Sequence, residues 1–553
     1  MQKSLTSKYK QKFQNIIIYI SENIDEFLKL PGMILLWTVL SIVIFFVFFS
    51  IRFNGLIEID AINDAQIAQN IAKGKGFTTS FLLPKTINEK TTLPQSDIIT
   101  PPLNPYIVSR FISFFHKSDK IVALSSAVFY LLSVPLFFFL CMRLFDKRIA
   151  LYSLALYITN PVLLSYSISG LSVSLLIFLF LILILLLYKI PDRYFVRVAA
   201  IGIILGLCYL TRYSYGLLYA PLLFYIYMSI DAKKDKVKAC VLFTVFFLIT
   251  TCPWLIRNSV LTGNPFYTLE FLKPLMFTTT FPENYLLCST SPIDISFFQF
   301  ISLIIKKFYY GIYINYNNLL YLPQNYLMPF FIMYFFAKQE NLKLLSFKKI
   351  VLVLFLTITL ILSLYYPGIN ILIPFIPIVI VYAVFYFITY IINGHFTRNL
   401  SKRIRQLLLL AFIIVNMYPL MTSLVHGGAT ISPYPVNRMN GIEQLTDADK
   451  VIISDIPWAI AWYSNRKSVW IPYNRDDYNK IKSSVGPIQC IYLSPLLRSF
   501  PAGENISVWL NAQFHKYLPW DIDLNKGKSM DFGGVIISDK QLWEKLEDNN
   551  DIE

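Results

Sequence analysis

Three carboxylates fall within seven residues in Ile57-Glu58-Ile59-Asp60-Ala61-Ile62-Asn63-Asp64, directly after the first long apolar stretch. Asp60 and Asp64 are spaced i, i+4, so on a helix they share one face. Carboxylates near a low-dielectric boundary can hold raised pKa values and act as general bases. Glu58, Asp60 and Asp64 together would also suit a divalent metal held on oxygens. The plainer account of the same spacing is helix caps or solvated charges.

Two cations lie far along the chain but in related settings. Arg212 follows an apolar run and precedes Tyr213, and Arg257 closes Pro253-Trp254-Leu255-Ile256-Arg257-Asn258. A cation beside aromatic residues at a helix end can snorkel toward lipid headgroups. It can also clamp the phosphate of a lipid-linked substrate through bidentate hydrogen bonds. Between the carboxylates and these cations come Gly74-Lys75-Gly76-Phe77 and Thr100-Pro101-Pro102-Leu103-Asn104-Pro105-Tyr106. Prolines that dense fix an irregular loop.

The elements that must position these groups are set by composition. Of 553 residues, 56% are apolar and only 15% charged, where soluble chains carry about 25% charge. That excludes disorder, collagen and a disulfide-stapled mini-protein, and predicts a polytopic α-helical membrane protein. A span needs about 20 apolar residues, and runs this continuous mean helix. Eleven spans are predicted, near 32–52, 120–142, 149–167, 171–188, 198–212, 214–230, 239–253, 319–337, 350–366, 370–392 and 407–425. The loops 143–148, 189–197, 231–238, 338–349 and 395–406 hold 18 Lys and Arg, whereas the opposite turns 168–170, 213 and 367–369 hold none. The basic loops are therefore assigned to the cytoplasm. The N-terminal tail, with Lys3, Lys8, Lys10, Lys12 and Lys29, falls on the same side and carries no evident cleavable leader. Eleven spans then place the C-terminal end outside.

The net charge of +16 invites a nucleic-acid reading. Residues 430–553 hold 13 Lys and Arg against 16 Asp and Glu, so the positive excess lies between the apolar spans and reads as a topology signal. The organisation expected is a cytoplasmic tail at 1–31, a transmembrane domain at 32–429 with external loops 53–119 and 254–318, and a soluble extracytoplasmic α/β domain at 430–553. In that last region strand-like runs at 451–455, 468–471, 490–493 and 534–538 alternate with helical stretches at 456–464, 475–484, 504–514 and 539–547, which favours parallel strands. No Gly-rich phosphate loop follows these strands. Four His and no CxxC argue against a His- or Cys-based metal site. Cys288 and Cys490 both face an oxidising side, which leaves a disulfide between them open. Gly202 and Gly206 form a small-xxx-small pattern that predicts close helix packing.

The run Asp60 to Phe77 resembles the first external loop of GT-C glycosyltransferases of the protein O-mannosyltransferase and aminoarabinose transferase type. The rest of the pattern follows in order: Pro101-Pro102-Leu103, Gly206 to Arg212, Pro253 to Asn258 with Gly263-Asn264-Pro265, Pro374 and Pro377, then Ala461 to Arg466 with Val469 to Pro472. The resemblance spans most of 55–475. It implies a polyprenyl-phosphate sugar as donor, and a protein, lipid or glycan as acceptor. It implies Asp60 as general base toward the acceptor hydroxyl, Arg257 or Arg212 at the donor phosphate, and an inverting displacement. The setting it implies is the inner membrane of a prokaryote, with no nucleic-acid partner. Ala61 stands where the family has Glu, Asp64 where it commonly has Tyr, Asn370 where many members have Arg, and 168–173 lacks the acidic residue often found there. Asp60 thus leads, with Asp64 as a substitute partner and Glu58 third.

Two other readings remain. A lipid-linked sugar flippase would need ionisable or broken-helix features at mid-membrane. A non-catalytic envelope protein with the same fold is kept in view by Ala61.

Overall fold

The computed structural model describes residues 30–548 apart from 88–91, 189–193, 231–232, 283–284, 322–324, 338–341, 365–368, 395–396, 398, 428–431, 435, 500–503, 519, 521–523, 525 and 531–532. The basic tail before Leu30 lies outside the described residues.

The apolar runs fold as helices. The sequence order begins with α1 (Leu30–Arg52), α2 (Ile59–Ala72), a short strand β1 (Phe81–Leu82), α3 (Leu103–Phe114) and α4 (Asp119–Leu144). There follow α5 (Lys147–Ile158), α6 (Pro161–Ser167), α7 (Val173–Leu187), α8 (Phe195–Thr211), α9 (Lys233–Thr262), α10 (Phe297–Tyr321), α11 (Leu342–Leu364) and α12 (Lys402–Val425), among other helices. Six helices among the described residues are long and apolar enough to cross a membrane, or seven if the bent pair α5–α6 is one span; α7 and α8 are shorter apolar helices. The chain is a multi-pass membrane protein.

The bend between α5 and α6 is 59° and has a local cause. Asn160 is pushed out of the helical region by the following Pro161. Its side-chain oxygen accepts hydrogen bonds from the Val162 and Leu163 amides at 2.9 and 3.0 Å, capping α6. α8 packs directly on α9 where the glycines fall: a Cβ added at Gly202 would lie 2.6 Å from the Phe243 carbonyl, and one at Gly206 2.7 Å from Thr250 Cβ.

At one end of the bundle sits a six-stranded sheet. Its later strands are β2 (Val451–Ser454), β3 (Lys467–Trp470), β4 (Ile488–Leu493), β5 (Lys526–Ser529) and β6 (Val535–Ser538), with helix α13 (Pro457–Tyr463) between β2 and β3. The order is β1-β3-β2-β4-β6-β5. β1, β3, β2 and β4 run parallel, while β6 is antiparallel to both β4 and β5. The sheet is therefore mixed, not parallel throughout: Gly533 and Gly534, at φ 88° and 87°, turn the chain back from β5 into β6 as a hairpin. The sheet is also not confined to the C-terminal region. Phe81 and Leu82 pair with Ser468 and Val469, so the 53–119 segment supplies an edge strand.

All six cysteines are free, and the Cys288–Cys490 bridge is not formed. Cys490 pairs with Ile452 near the start of the parallel strands, while the Cys288 carbonyl accepts from the Tyr473 amide just beyond the end of β3. The two thiols belong to opposite ends of the sheet.

Candidate active site

α2 starts immediately after Glu58, which holds an extended conformation (φ −80°, ψ 133°). It ends at Lys73, and Gly74 and Gly76, at φ 75° and 72°, reverse the chain toward β1. One face of α2 is buried against α3 and α13, and the end carrying the carboxylates stands at the rim of a cavity of about 400 Å³. Asp60 and Asp64 both line it, as the i, i+4 spacing requires. Arg212, Lys273, Trp458 and Trp470 line it from other elements.

Asp60 is 63% exposed at its side chain, and its Oδ2 lies 3.6 Å from Nη2 of Arg212, which is only 14% exposed. The cation is fixed by its backbone. Arg212 ends α8 in an extended conformation (φ −155°, ψ 114°), its amide still bonded to the Cys208 carbonyl. The next residue continues the wall: Tyr213 donates to the Thr100 carbonyl at 3.2 Å and accepts from Trp254 Nε1 at 2.8 Å. A half-buried guanidinium beside an exposed carboxylate makes an electrostatic couple at the cavity rim.

Asp64 is different. It is buried, and Asn104 Nδ2 donates to its Oδ2 at 2.7 Å. Burial pushes its carboxyl well above the ordinary range, and the Asn104 hydrogen bond opposes this only in part. Glu58 stands outside this cavity on an exposed segment; partial desolvation, and then the Asp60 charge, raises its carboxyl. Arg257 also stands outside the lining. It lies over the Trp254 ring at 4.3 Å and the Phe77 ring at 5.2 Å, and its Nη2 donates to the Phe77 carbonyl at 3.1 Å.

Sequence reasoning missed several groups. Asp97, buried at 4% exposure, lines the cavity and accepts from the Ile99 and Thr100 amides at 3.1 and 2.7 Å. Burial raises its carboxyl, while those hydrogen bonds and the Arg257 charge pull the other way. Lys273 and Trp458 come from segments far along the chain that no local spacing announces, and Trp470 lay inside the Val469 to Pro472 motif without a role assigned to it. Asn104 sat inside a proline-rich stretch whose only evident meaning was irregularity.

A divalent ion does not fit this arrangement well. Asp60 faces a guanidinium, Asp64 an amide, and Asp97 two backbone N–H groups; among the described residues no three His, Cys, Asp or Glu side chains gather as a metal site.

A family model described as dolichyl-phosphate-mannose-protein mannosyltransferase matches residues 100–256. Comparison with curated proteins finds no match. Among solved structures, ArnT from Cupriavidus metallidurans bound to undecaprenyl phosphate superposes with TM-score 0.57 at 13% identity, covering 92% of this chain and 98% of that one. The chain has the GT-C fold. The archaeal oligosaccharyltransferase AglB from Archaeoglobus fulgidus, in complex with an inhibitory peptide and a dolichol-phosphate, gives TM-score 0.57 at 12% identity, covering 84% of this chain and 70% of that one. Across this GT-C chain the family match runs from Thr100 to Ile256. It therefore includes Arg212 and the Tyr213–Trp254 wall and stops short of the Asp60 segment.

Proposed function

We propose that the chain is a glycosyltransferase that moves a sugar from a polyprenyl-phosphate donor to an acceptor on the outer face of the membrane, with inversion. The observation that carries this reading is the Asp60–Arg212 couple at the rim of a cavity, in a fold shared with proteins that bind undecaprenyl or dolichyl phosphate. Asp60 takes the proton of the acceptor hydroxyl as that oxygen attacks the anomeric carbon. The bond from that carbon to the phosphate oxygen breaks, and the lipid phosphate leaves with the electron pair. Arg212 stabilises the developing charge, with Lys273 on the same cavity. Arg257 contributes from behind the aromatic wall through its field, and Asp64 and Glu58 shape the field at Asp60. The donor sugar is a hexose or pentose, and the acceptor a protein, lipid or glycan. The topology proposed is eleven spans in a prokaryotic inner membrane, with the N-terminus in and the sheet outside.

The bent α5–α6 pair is a broken helix of the kind a transporter would use. Its break carries no charged residue, and Asn160 satisfies the freed amides locally, which favours the enzyme reading. The test is transfer of radiolabel from polyprenyl-phosphate sugars to a membrane-extract acceptor pool. Transfer by wild type that is lost in Asp60→Asn, with expression and folding intact, supports the reading. Undiminished transfer in Asp60→Asn moves the base elsewhere, and no transfer from any donor in a broad panel removes the reading.

A further inference from the structure

Asp60 sits in the first turn of α2, and that turn lacks a side-chain cap. Glu58, which precedes the helix, makes no capping hydrogen bond, and residues 57–60 are all exposed. An uncapped, exposed helix start frays, and fraying would swing the carboxylate. The buried Ala61 and Ile62 seat the helix by apolar contact, which carries no direction. A directional contact is needed to set how Asp60 stands toward Arg212.

Asn63 supplies one. It follows Asp60 by three residues, so the two share a helix face, and both line the cavity. Asn63 Nδ2 donates to Thr100 Oγ1 at 3.0 Å. The Thr100 hydroxyl donates in turn to the Asp97 carboxylate, whose Oδ1 also accepts from the Thr100 amide at 2.7 Å. With its proton committed, Thr100 Oγ1 offers Asn63 only lone pairs, which fixes the Asn63 amide with its nitrogen toward Thr100. Asn63 Oδ1 then lies buried with no hydrogen-bond partner among the described residues. A buried oxygen left unpaired costs stability, and an apolar side chain at this position would avoid that cost. On its other side Thr100 meets the cation's turn: its carbonyl accepts from the Tyr213 hydroxyl at 3.2 Å, one residue beyond Arg212. A single buried threonine is thus bonded both to the helix of the carboxylate and to the turn of the guanidinium.

Within the glycosyltransferase reading, on which the inference rests, we propose that Asn63 is a positioning residue. Through Thr100 and Asp97 it holds the Asp60 carboxylate in register with Arg212, and it touches no reacting atom itself. A residue kept for packing alone would not carry an unpaired buried oxygen. Asn63 carries one, and what it maintains in exchange is the alignment of the couple.

The test is steady-state transfer by the full chain in phosphatidylcholine nanodiscs, with the radiolabelled polyprenyl-phosphate sugar that wild type uses, and thermal unfolding of the same preparations. The variants are Asn63→Leu, Thr100→Val, Thr100→Ser and the Asn63→Leu/Thr100→Val double. Asn63→Leu keeps the volume and removes the unpaired oxygen. Its kcat is expected to fall about tenfold with donor KM within about twofold, while the unfolding midpoint holds or rises. Thr100→Val is expected to match that fall, and Thr100→Ser, which keeps the hydroxyl, to stay within about threefold of wild type. The double variant is expected to be no slower than the slower single, because both changes delete one shared hydrogen bond. An unchanged kcat in Asn63→Leu overturns the proposal, as does a fall that tracks a lowered unfolding midpoint. Additive losses in the double variant, a change confined to donor KM, or a Thr100→Ser as slow as Thr100→Val also overturn it. Those outcomes leave the glycosyltransferase reading standing. A wild type that transfers sugar from no donor removes that reading and this role for Asn63 together.

Discussion

Asp60 and Asp119 stand at the same end of the helical bundle, and their surroundings could hardly differ more. Asp119 opens α4, and among the described residues the hydrogen bonds it accepts come from neutral donors. Its Oδ2 accepts from the Leu56 amide at 3.1 Å and the Tyr463 hydroxyl at 2.8 Å, and its Oδ1 accepts from Trp462 Nε1 at 2.9 Å. Those donors come from the start of the 53–119 segment and from α13 of the sheet region, so Asp119 is a joint. Lys117 beside it is absorbed the same way: its ammonium donates to Asn465 Oδ1 at 3.0 Å and lies over the Trp462 ring, and burial pulls it down to about 8. Among the described residues Asp60 has one ion-pair partner, Arg212, and an exposed carboxylate. A carboxylate saturated by fixed donors organises the chain and is unavailable to anything else. One held by a half-buried guanidinium and otherwise exposed keeps its remaining lone pairs for a ligand.

This contrast predicts opposite outcomes for the same class of substitution. Asp60→Asn keeps the shape and removes the base, so transfer should fall by about 10²–10⁴ while thermal stability barely moves. Asp119→Ala leaves three donors without their acceptor, two on buried aromatic side chains. It should cost on the order of 3 kcal/mol and lower the unfolding midpoint, with activity falling only as folded protein is lost. Thermal unfolding and single-turnover transfer on the same preparations separate the two. Equal stability loss in both variants would erase the distinction.

The two regions also differed in how legible they were. The six or seven membrane-crossing helices found among the described residues were visible because a helix in lipid must be apolar along its length, and the strands at 451, 468, 490 and 534 because short β-branched runs are punctuated by turns. The Asp60–Asp64 face and the Arg212 helix end followed from spacing and position. What could not be read was every pairing between distant segments. Phe81 and Leu82 are too short a run to announce a strand, and only the exposed edge of β3 makes them one. The mixed sheet was missed because the hairpin depends on positive φ at Gly533 and Gly534, which alternation of strands and helices does not encode. The bend at Asn160-Pro161 was written in the sequence, as a cap residue before a proline, and hidden inside an otherwise continuous apolar run.

A middle-sized effect tests whether the sheet region is a passive lid. Trp458 and Trp470 pack edge to face at 5.5 Å and line the cavity, brought there by α13 and β3. Trp470→Ala should raise KM for one substrate about tenfold, with kcat changed less than threefold, because the ring contributes binding area and touches no reacting bond. A collapse of kcat with KM unchanged would place the indole in the reaction itself.

The smallest effect belongs to Asp64, and it separates helix partnership from chemistry. Asp64 shares a face with Asp60, yet its carboxyl is buried and accepts from Asn104 Nδ2. Because its folded pKa is raised above the ordinary 3.8, the folded state binds this proton more tightly than the unfolded chain does. Its contribution to stability is therefore complete below about pH 3.8. It declines as pH rises from there toward the folded pKa, where the native group at last ionises. Asp64→Asn retains an oxygen for Asn104 and never ionises. The variant should lose less than about tenfold in transfer and should be at least as stable as wild type at neutral pH, with a flatter stability profile above pH 3.8. Denaturant titrations across pH on both proteins measure that slope. If Asp64→Asn abolished transfer as completely as Asp60→Asn while remaining folded, the two carboxylates would act as one catalytic pair, and the cation-paired Asp60 would lose its special standing.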